Sequence, residues 1–478
     1  MSRCRALVCL FVVSCLAISS TASAQIDTAT IVGKVTDDSG GVLPGVTVTA
    51  TQQGSGIASN AVTNASGEFI FPGLRIGSYD VAAELAGFRR AVRRDVQLNV
   101  QTRAQVDLQL SVGAMTEEVT VTGRSELLQT QTADIGTIVD QRQVQDLPLL
   151  GRRYSELAFL TPGVVAAPAG ISSRGEDTFF NANGNFATWN NYTLDGADNN
   201  SFSTNLQERS PQVVAPPVDA LQEFKVQTRT YSAEFGKAAG AVINASVKQG
   251  TNRFSGSLFA FMRDEALNAN TWDNNRAGRP KGPFNQLIAG GTFGGPIVRG
   301  RTFFFGDYQS SRTERSLSQT ATVPTARMKA GDLSELAGNM VASNPFVPAG
   351  CVDAAAKTVN RSCFDSSAAR LLGLFPAPNV PGTGFFNNNF ISNGILNNNV
   401  DQFNIRVDHR IGAGSDSLFV RYSFQNTDRL EPPVLEDAVA SGDFSSDILN
   451  RGQSGVAGWS RVFGANLFNE LRGSFNKV

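Results

Sequence analysis

The chain has 478 residues, 41 Lys and Arg against 42 Asp and Glu, and a formal net charge of −1. This length exceeds an ordinary domain of ~100 to 200 residues, so several cores are expected. The even charge balance lacks the basic excess that binds phosphate backbones and therefore argues against nucleic acid as a partner. Gly (46), Phe (32) and many Asn, Thr and Ser favour strands joined by polar turns, so a mainly β fold is predicted.

Residues 1–24 have the pattern of a secretory signal peptide. Two arginines precede an apolar run, and small residues end at Ala24, so cleavage between Ala24 and Gln25 is predicted. Lipidation of Cys15 is the alternative, although this residue lies inside the apolar run. Beyond residue 24 no apolar run reaches the ~18 residues of a membrane helix, so any membrane crossing would use strands.

Two cysteines, Cys351 and Cys363, follow the predicted leader. Disulfides persist in an export environment, so the two residues are predicted to pair within one loop. A metal or redox site is the alternative, but the spacing is not C-x-x-C and no His lies nearby. The sequence therefore favours a structural loop staple.

Residues 25–112 are predicted to form an Ig-like or prealbumin-like β-sandwich. Short alternating segments are separated by Gly, Pro and Asn at the spacing typical of such a domain. The predicted strands are Ile31–Val35, Val46–Ala50, Glu68–Phe71 and Tyr79–Ala83. This segment is long enough to bury a modest core of its own.

Residues 113–250 alternate helix-like and strand-like pieces, which predicts an α+β unit. Asp219–Phe224 resembles a helical turn that feeds the strand Lys225–Thr228. Near the start, the segment Glu118, Val119, Thr120, Val121 and Thr122 is β-prone. It is the last strand of the sandwich, the first strand of the next unit, or a strand that a partner captures at its sheet edge.

Residues 251–478 show paired strands joined alternately by tight turns and long polar loops, as in the first part of a transmembrane antiparallel β-barrel. One predicted face carries Phe403, Ile405, Val407, Ile411, Leu418, Val420, Tyr422 and Phe424, and the other carries Asn404, Arg406, Asp408, Arg410 and Arg421. A soluble sandwich could also alternate in this way. The export signal and the contrast between the short turn 412–416 and the long loop 322–399 favour the barrel. Its lumen-facing charges could pair with the preceding unit or line a substrate path.

The composition argues against catalysis. The only His is His409, so neither a His-ligated zinc site nor a nucleophile–His–Asp triad can be assembled. No P-loop or Rossmann fingerprint stands in a strand–turn–helix context. We therefore predict no enzyme activity, no metal and no cofactor, and we place His409 in the interfacial band of the barrel. In the α+β unit, Trp189 and Asn190 are candidate substrate contacts because rings stack on sugars and amides hydrogen-bond to them.

Two sets of motifs resemble known families. Those of the sandwich resemble the carboxypeptidase regulatory-like domain family, at Gly33–Asp37, Gly41–Gly45, Thr63–Gly67, Gly77–Tyr79 and Ala86–Phe88. Those that follow resemble the plug of TonB-dependent transporters, and the whole layout resembles their Oar-like branch, at Glu117–Gly123, Leu147–Leu149, Leu160–Val164, Leu194–Gly196, Glu223–Val226, Ala233–Gly236 and Val247–Asn252.

The resemblance implies a TonB-dependent outer-membrane receptor that couples uptake of a siderophore, oligosaccharide or peptide to the inner-membrane energy complex. Residues 118–122 would be the TonB box, the partner would be a TonB-type energy-transducing protein, and the barrel would contact outer-membrane lipid. The sandwich would lie in the periplasm. Protein secretion and surface binding are the alternative functions.

The sequence departs from this family at its far end. Such a transporter has ~22 barrel strands, whereas only about seven candidates follow Thr251. An unpaired sheet edge is costly in lipid. The barrel is therefore expected to be incomplete at the C-terminus and unable to close a pore alone.

Overall fold

A computed structural model shows three consecutive units. It describes residues 28–113, 118–121, 135–167, 178–202, 210–233, 235–276, 278–336, 348–380, 388–412, 416–435, 446–463 and 467–478. The predicted cleavage site at Ala24 and Gln25, and Cys15, lie outside these residues. Within the described ranges, no helix has the length and apolar character that a membrane span requires.

The first unit is a two-sheet sandwich. Its strands are β1 (Ala29–Asp37), β2 (Thr47–Gln52), β3 (Ala58–Val62), β4 (Glu68–Leu74), β5 (Gly77–Glu84), β6 (Arg90–Leu98), β7 (Arg103–Gln105) and β8 (Leu108–Leu110). One sheet pairs β1 with β4, β7 and β8, and the other has the order β3-β2-β5-β6. Ile31, Val35 and Val48 are fully buried. Because side chains alternate between the two faces of a strand, every second residue points into the core, as the sequence predicts.

One further strand, β9 (Glu118–Val121), lies at the edge of this second sheet. It runs parallel to β6, with Arg90 opposite Glu118 and Arg93 opposite Val121. The backbone of the β-prone segment is therefore the last strand of the sandwich, which is one of the three predicted alternatives. Thr122 lies outside the described residues.

The second unit, residues 135–247, is called the middle unit. It contains β10 (Ile135–Val139), helix α1 (Gln141–Asp146), β11 (Val164–Ala166), β12 (Phe180–Ala182), β13 (Asn191–Leu194), β14 (Ala197–Asp198), β15 (Leu221–Arg229) and β16 (Val242–Val247). Five of these strands form a mixed sheet in the order β10-β15-β16-β13-β14. The helix begins after Asp140, whose side chain accepts a hydrogen bond from the Gln143 amide at 2.9 Å.

The predicted helical turn at Asp219–Phe224 is wrong in its extent. A short 3-10 turn spans Val218–Ala220, and β15 begins at Leu221. Leu221 and Phe224 are fully buried in the core of the middle unit. Burial against the rest of the sheet outweighs the local helical preference of this segment.

The third unit is a seven-stranded antiparallel sheet within the described residues. Its strands are β17 (Ser255–Asp264), β18 (Phe284–Val298), β19 (Thr302–Ala321), β22 (Phe390–Ile411), β23 (Asp416–Glu431), β24 (Ser446–Phe463) and β25 (Leu467–Lys477). Each strand pairs with the next in this order. The connections hold α2 (Trp272–Arg276), α3 (Ala326–Lys329), β20 (Val352–Asp353), β21 (Thr358–Val359) and α4 (Ser366–Leu374).

The two faces of this sheet match the predicted alternation. Ile405 and Val420 are 53% and 56% exposed, whereas Asn404, Arg406 and Arg421 are buried, and the two arginines contact the middle unit. Successive residues of a strand point to opposite faces, so this register decides which charges meet the middle unit.

The long connection between β19 and β22 contains the predicted cysteine pair. Cys351 and Cys363 are joined by a disulfide with an S–S length of 2.00 Å and a Cα–Cα distance of 5.7 Å. The hairpin of β20 and β21 lies between them in sequence. The bond therefore closes a small loop around this hairpin, which is the structural role expected of a loop staple.

Candidate functional site

Asp195 lies in the tight turn between β13 and β14, where the middle unit meets the seven-stranded sheet. Its φ of 50° is in the left-handed region, which Asp tolerates better than most residues. The residue is fully buried. Its Oδ1 accepts a hydrogen bond from the Val247 amide at 3.0 Å. A hydrogen bond within the middle unit therefore holds the carboxylate in position, independently of its contacts with the sheet.

Two arginines of the sheet bind this carboxylate. Arg406 Nη1 lies 2.9 Å from Asp195 Oδ1, and Arg421 Nε lies 2.8 Å from Asp195 Oδ2. Arg406 and Arg421 are directly opposite each other on β22 and β23. Like charges in that register repel, so Asp195 compensates a repulsion that the sheet alone would carry. These buried ion pairs connect the middle unit to two strands.

The network extends to the sandwich. Arg406 Nε lies 3.1 Å from Asp408 Oδ2, and Asp408 also pairs with Arg75 of the sandwich. Arg75 Nη1 donates to Gln249 Oε1 at 3.2 Å. The junction network consists of Arg75, Asp408, Arg406, Asp195 and Arg421. Its positive and negative charges alternate, so each charge has an opposite neighbour.

A row of polar side chains lies beside the junction network on the same face. Asp307, Asn404, Ser423 and Ser454 are successive cross-strand neighbours from β19 to β24. Asn404 Nδ2 donates to Asp307 Oδ1 at 2.9 Å, and Ser423 donates to Asn404. Ser454 Oγ accepts from Arg421 Nη2 at 3.3 Å. The sheet therefore presents polar groups, rather than an apolar core, to the middle unit.

The sandwich also contacts the other two units through its backbone. The Ala58 carbonyl accepts from Arg410 Nη2 at 2.7 Å, and the Gly54 carbonyl accepts from the Asn252 amide at 3.0 Å. The Val100 amide donates to the Glu223 carboxylate of the middle unit. A cavity of about 90 Å³ remains between the sandwich and the seven-stranded sheet. Polar contacts therefore hold the sandwich beside the end of β22 and the start of β17.

Docking of the sandwich is expected to depend on pH through Glu223. Burial raises the pKa of Glu223 from 4.5 to about 8, against the opposing effect of its hydrogen bond from Val100. The docked state therefore holds a proton that the undocked state loses above pH 4.5. Docking should be strongest below pH 4.5 and weaken as the pH rises to about 8.

Hydrogen exchange at the Val100 amide, corrected for its intrinsic pH dependence, would measure this effect. Glu223→Gln should flatten the pH dependence of protection. Glu84→Gln, at an exposed ion pair with Arg90, should leave it unchanged. Equal pH dependence in the parent and in Glu223→Gln would contradict the assignment.

The structure separates the two candidate substrate contacts. Trp189 is 48% exposed and packs edge to face on Phe186, with ring centroids 5.1 Å apart. Asn190 is buried, and its amide donates to the Phe180 carbonyl at 2.9 Å and accepts from the Ala241 amide at 2.8 Å. Asn190 therefore holds the loop in place, and Trp189 presents the accessible surface.

His409 is half-buried on β22, and its Nδ1 lies 2.9 Å from Thr302 Oγ1 of β19. This contact links His409 to the neighbouring strand of the sheet. In the part of the chain that the structure describes, no three His, Cys, Asp or Glu residues are grouped as metal ligands.

Sequence reasoning placed Arg406, Asp408 and Arg421 on the inner face and left two alternatives for them, pairing with the preceding unit or lining a substrate path, without naming the partner residues. The Asp195-Gly196 pair between apolar residues marks a turn, and a buried acid in such a turn is the signal for a partner across the interface. Arg75 was missed. No local pattern distinguishes it from a surface arginine, because its contacts come from units distant in sequence.

Comparison with known proteins gives two domain families and one curated relative. The outer membrane beta barrel domain family matches residues 246–478, and the carboxypeptidase regulatory-like domain family matches residues 30–111. The TonB-dependent transporter Oar of Myxococcus xanthus is 28% identical over 316 residues, which cover 63% of this chain and 28% of that protein. The chain thus spans less than a third of the length of this relative.

Solved structures of outer-membrane receptors and transporters are less similar to this chain in sequence than the curated relative is. The ferric enterobactin receptor of Pseudomonas aeruginosa in complex with enterobactin matches with a TM-score of 0.43 and 11% identity, over 73% of this chain and 41% of that one. The outer membrane transporter YddB of Escherichia coli matches with a TM-score of 0.41 and 12% identity, over 68% and 36%. The two domain families and the curated relative lead to one conclusion. The chain is an outer-membrane protein that joins a carboxypeptidase regulatory-like domain to an outer-membrane β-barrel domain, and it is a homologue of the TonB-dependent transporter Oar.

Proposed function

We propose that the chain takes part in energy-coupled transport across the outer membrane, with the middle unit as a plug held against the barrel sheet. The junction network carries this proposal. Asp195 between Arg406 and Arg421 is a small, buried, polar attachment. A polar interface can exchange its bonds for water when the units separate, whereas an apolar core of the same size would resist separation.

The segment Glu118–Thr122 is proposed as the grip for a TonB-type energy-transducing protein. Its described part, β9, comes before β10 of the middle unit in sequence. A partner that adds its own sheet edge to this strand gains backbone hydrogen bonds and can pull. The pull would reach the middle unit through the intervening chain and act on the junction network.

The sandwich is proposed to lie on the periplasmic side. It contacts the sheet at Arg410, beside the short connection between β22 and β23. In outer-membrane barrels the short turns face the periplasm and the long loops face outwards. The long connection with the disulfide would then be external, as would the substrate.

The proposed substrate class is a siderophore, oligosaccharide or peptide, and the chain itself is proposed to be non-enzymatic. Trp189 is the proposed contact, since its half-exposed ring offers a stacking surface. Protein secretion or surface binding is the second candidate function. The polar inner face of the barrel sheet, once the middle unit moves, would suit a larger cargo as well as a small one.

Replacing Val119 and Val121 with Pro should abolish capture by the partner, because Pro lacks the backbone donor that strand addition uses. Binding of the purified C-terminal domain of the host TonB-type protein to the exported chain would measure this. Val119→Ala and Val121→Ala keep the donors and should bind as the parent does. Uptake that survives in the Pro variant would overturn the proposal that capture of Glu118–Thr122 drives transport.

A further inference from the structure

The backbone of the proposed grip is already engaged inside the chain. β9 (Glu118–Val121) pairs in parallel with β6, with Ala91 opposite Val119 and Val92 opposite Thr120. It is the terminal strand of the five-stranded sheet β3-β2-β5-β6-β9. The backbone groups on one side of β9 are therefore used by the sandwich.

This pairing is short and replaceable. β9 has four residues, whereas β6 has nine, so β9 covers only the first part of the β6 edge. Parallel pairs are slightly less stable per residue than antiparallel pairs. A partner whose sheet edge pairs with a longer stretch of the chain would therefore gain more backbone bonds than the sandwich loses.

While β9 stays paired with β6, a pulling force from the partner would act on the sandwich instead of the middle unit. The sandwich is bonded to the sheet by Arg75 and Arg410. While β9 stays on β6, force applied to it is borne by the sandwich and by these contacts. Force reaches the middle unit through residues 122–134 only when β9 leaves β6, because the connection is then loaded directly.

Resting on the proposed function, we propose that β6 of the sandwich is an internal docking edge that holds Glu118–Val121 and competes with the energy-transducing partner for it. The sandwich thereby regulates access to the grip. A partner that pairs with the same side of Glu118–Val121 must displace β6, so occupancy of β6 and occupancy of that partner's sheet edge are alternative states of one strand. Substrate-dependent changes at the junction would shift the balance by moving the sandwich through Arg75.

A disulfide lock tests this competition. Arg93 and Val121 are directly opposite in the register. Neighbouring strands lie ~4.8 Å apart, within the Cα separation that a disulfide spans. Arg93→Cys with Val121→Cys should form the bond in the exported chain. Gln97→Cys with Val121→Cys, displaced by four positions along β6, should not.

The readout is binding of the purified C-terminal domain of the TonB-type protein. The locked chain should bind at least tenfold more weakly than the Gln97→Cys variant and than each single-cysteine variant. All are compared without reductant, so that the disulfide between Cys351 and Cys363 stays intact.

Each outcome separates the two proposals. If the lock forms and the locked chain binds as tightly as the controls, the competition is overturned while the grip itself stands. If the lock does not form, the pairing of β9 with β6 is absent in solution and the competition is also overturned. If neither the parent nor the controls bind, the proposed function itself fails.

Discussion

Replacing Asp195 with Asn is expected to weaken the attachment of the middle unit to the barrel sheet by about 3 to 5 kcal/mol. Arg421 is fully buried, and Asp195 Oδ2 lies 2.8 Å from its Nε. The change removes the charge of the carboxylate that faces this buried cation. Asn tolerates the left-handed conformation of this turn, so the variant tests charge rather than backbone strain.

Urea-induced release of the middle unit, followed by the fluorescence of Trp189, would measure this loss. Trp272 and Trp459 are first replaced by Phe, since the chain has 3 Trp. Asp198→Asn is the matched control. Asp198 lies in the adjoining strand and pairs with Lys237 at 2.8 Å, but both side chains are well exposed, so its loss should cost within about 1 kcal/mol.

A second change sharpens the result. In the Asp195→Asn background, Arg421→Met removes the buried cation that has lost its ion pair with Asp195 and should recover part of the lost stability. If Asp195→Asn and Asp198→Asn shift the urea midpoint equally, the ion pairs of Asp195 do not hold the middle unit. The proposed attachment would then have to lie elsewhere.

Replacing Gly452 with Ala is expected to push the middle unit away from the sheet, at a cost of about 1 to 3 kcal/mol. A Cβ at Gly452 would collide with the carbonyl oxygen of Val213, which belongs to the middle unit. The obstruction is backbone rather than a flexible side chain, so local repacking cannot relieve it. The nearby hydrogen bond from the Ala215 amide to Gln425 Oε1, 2.9 Å long, should lengthen or break.

Gly455→Ala on the same strand is the control, because a Cβ there meets nothing within 4 Å. The two variants add the same methyl group at sites that differ in what they face. Protease sensitivity of the middle unit should rise in Gly452→Ala and stay at the parental level in Gly455→Ala. Equal sensitivity in the two variants would show that the close approach at Val213 does not position the middle unit.

The two predictions address complementary parts of one interface. Asp195 supplies attraction across it, and Gly452 supplies the space that lets the backbones approach. Since neither residue lies in the apolar core of the middle unit, both variants should retain its fold. A loss of attachment without a loss of strand content would support a plug that can be released as a body.

Local sequence patterns were enough to predict features that depend on a single strand or loop. The sandwich strands around Ile31 and Val48 follow from alternation, because a period of two leaves one face apolar. The same rule assigned Ile405 and Arg406 to opposite faces of β22. The disulfide between Cys351 and Cys363 followed from the export signal and from the absence of other cysteines beyond the leader.

Tertiary structure decided the rest. β15 starts at Leu221, where a helical turn was predicted, because burial in the sheet outweighs local preference. The pairing of Glu118–Val121 with β6 also required the fold, since its β propensity fits three different neighbours.

Periodicity and turn chemistry within short segments were enough to predict the mainly β fold class, the order of the units and the faces on which Arg406, Asp408 and Arg421 lie. Only the tertiary structure assigned Asp195 to Arg406 and Arg421, and Arg75 to Asp408. These contacts join residues more than 200 positions apart. Electrostatic pairing depends on distance in space and on desolvation, which are set when the three units pack together.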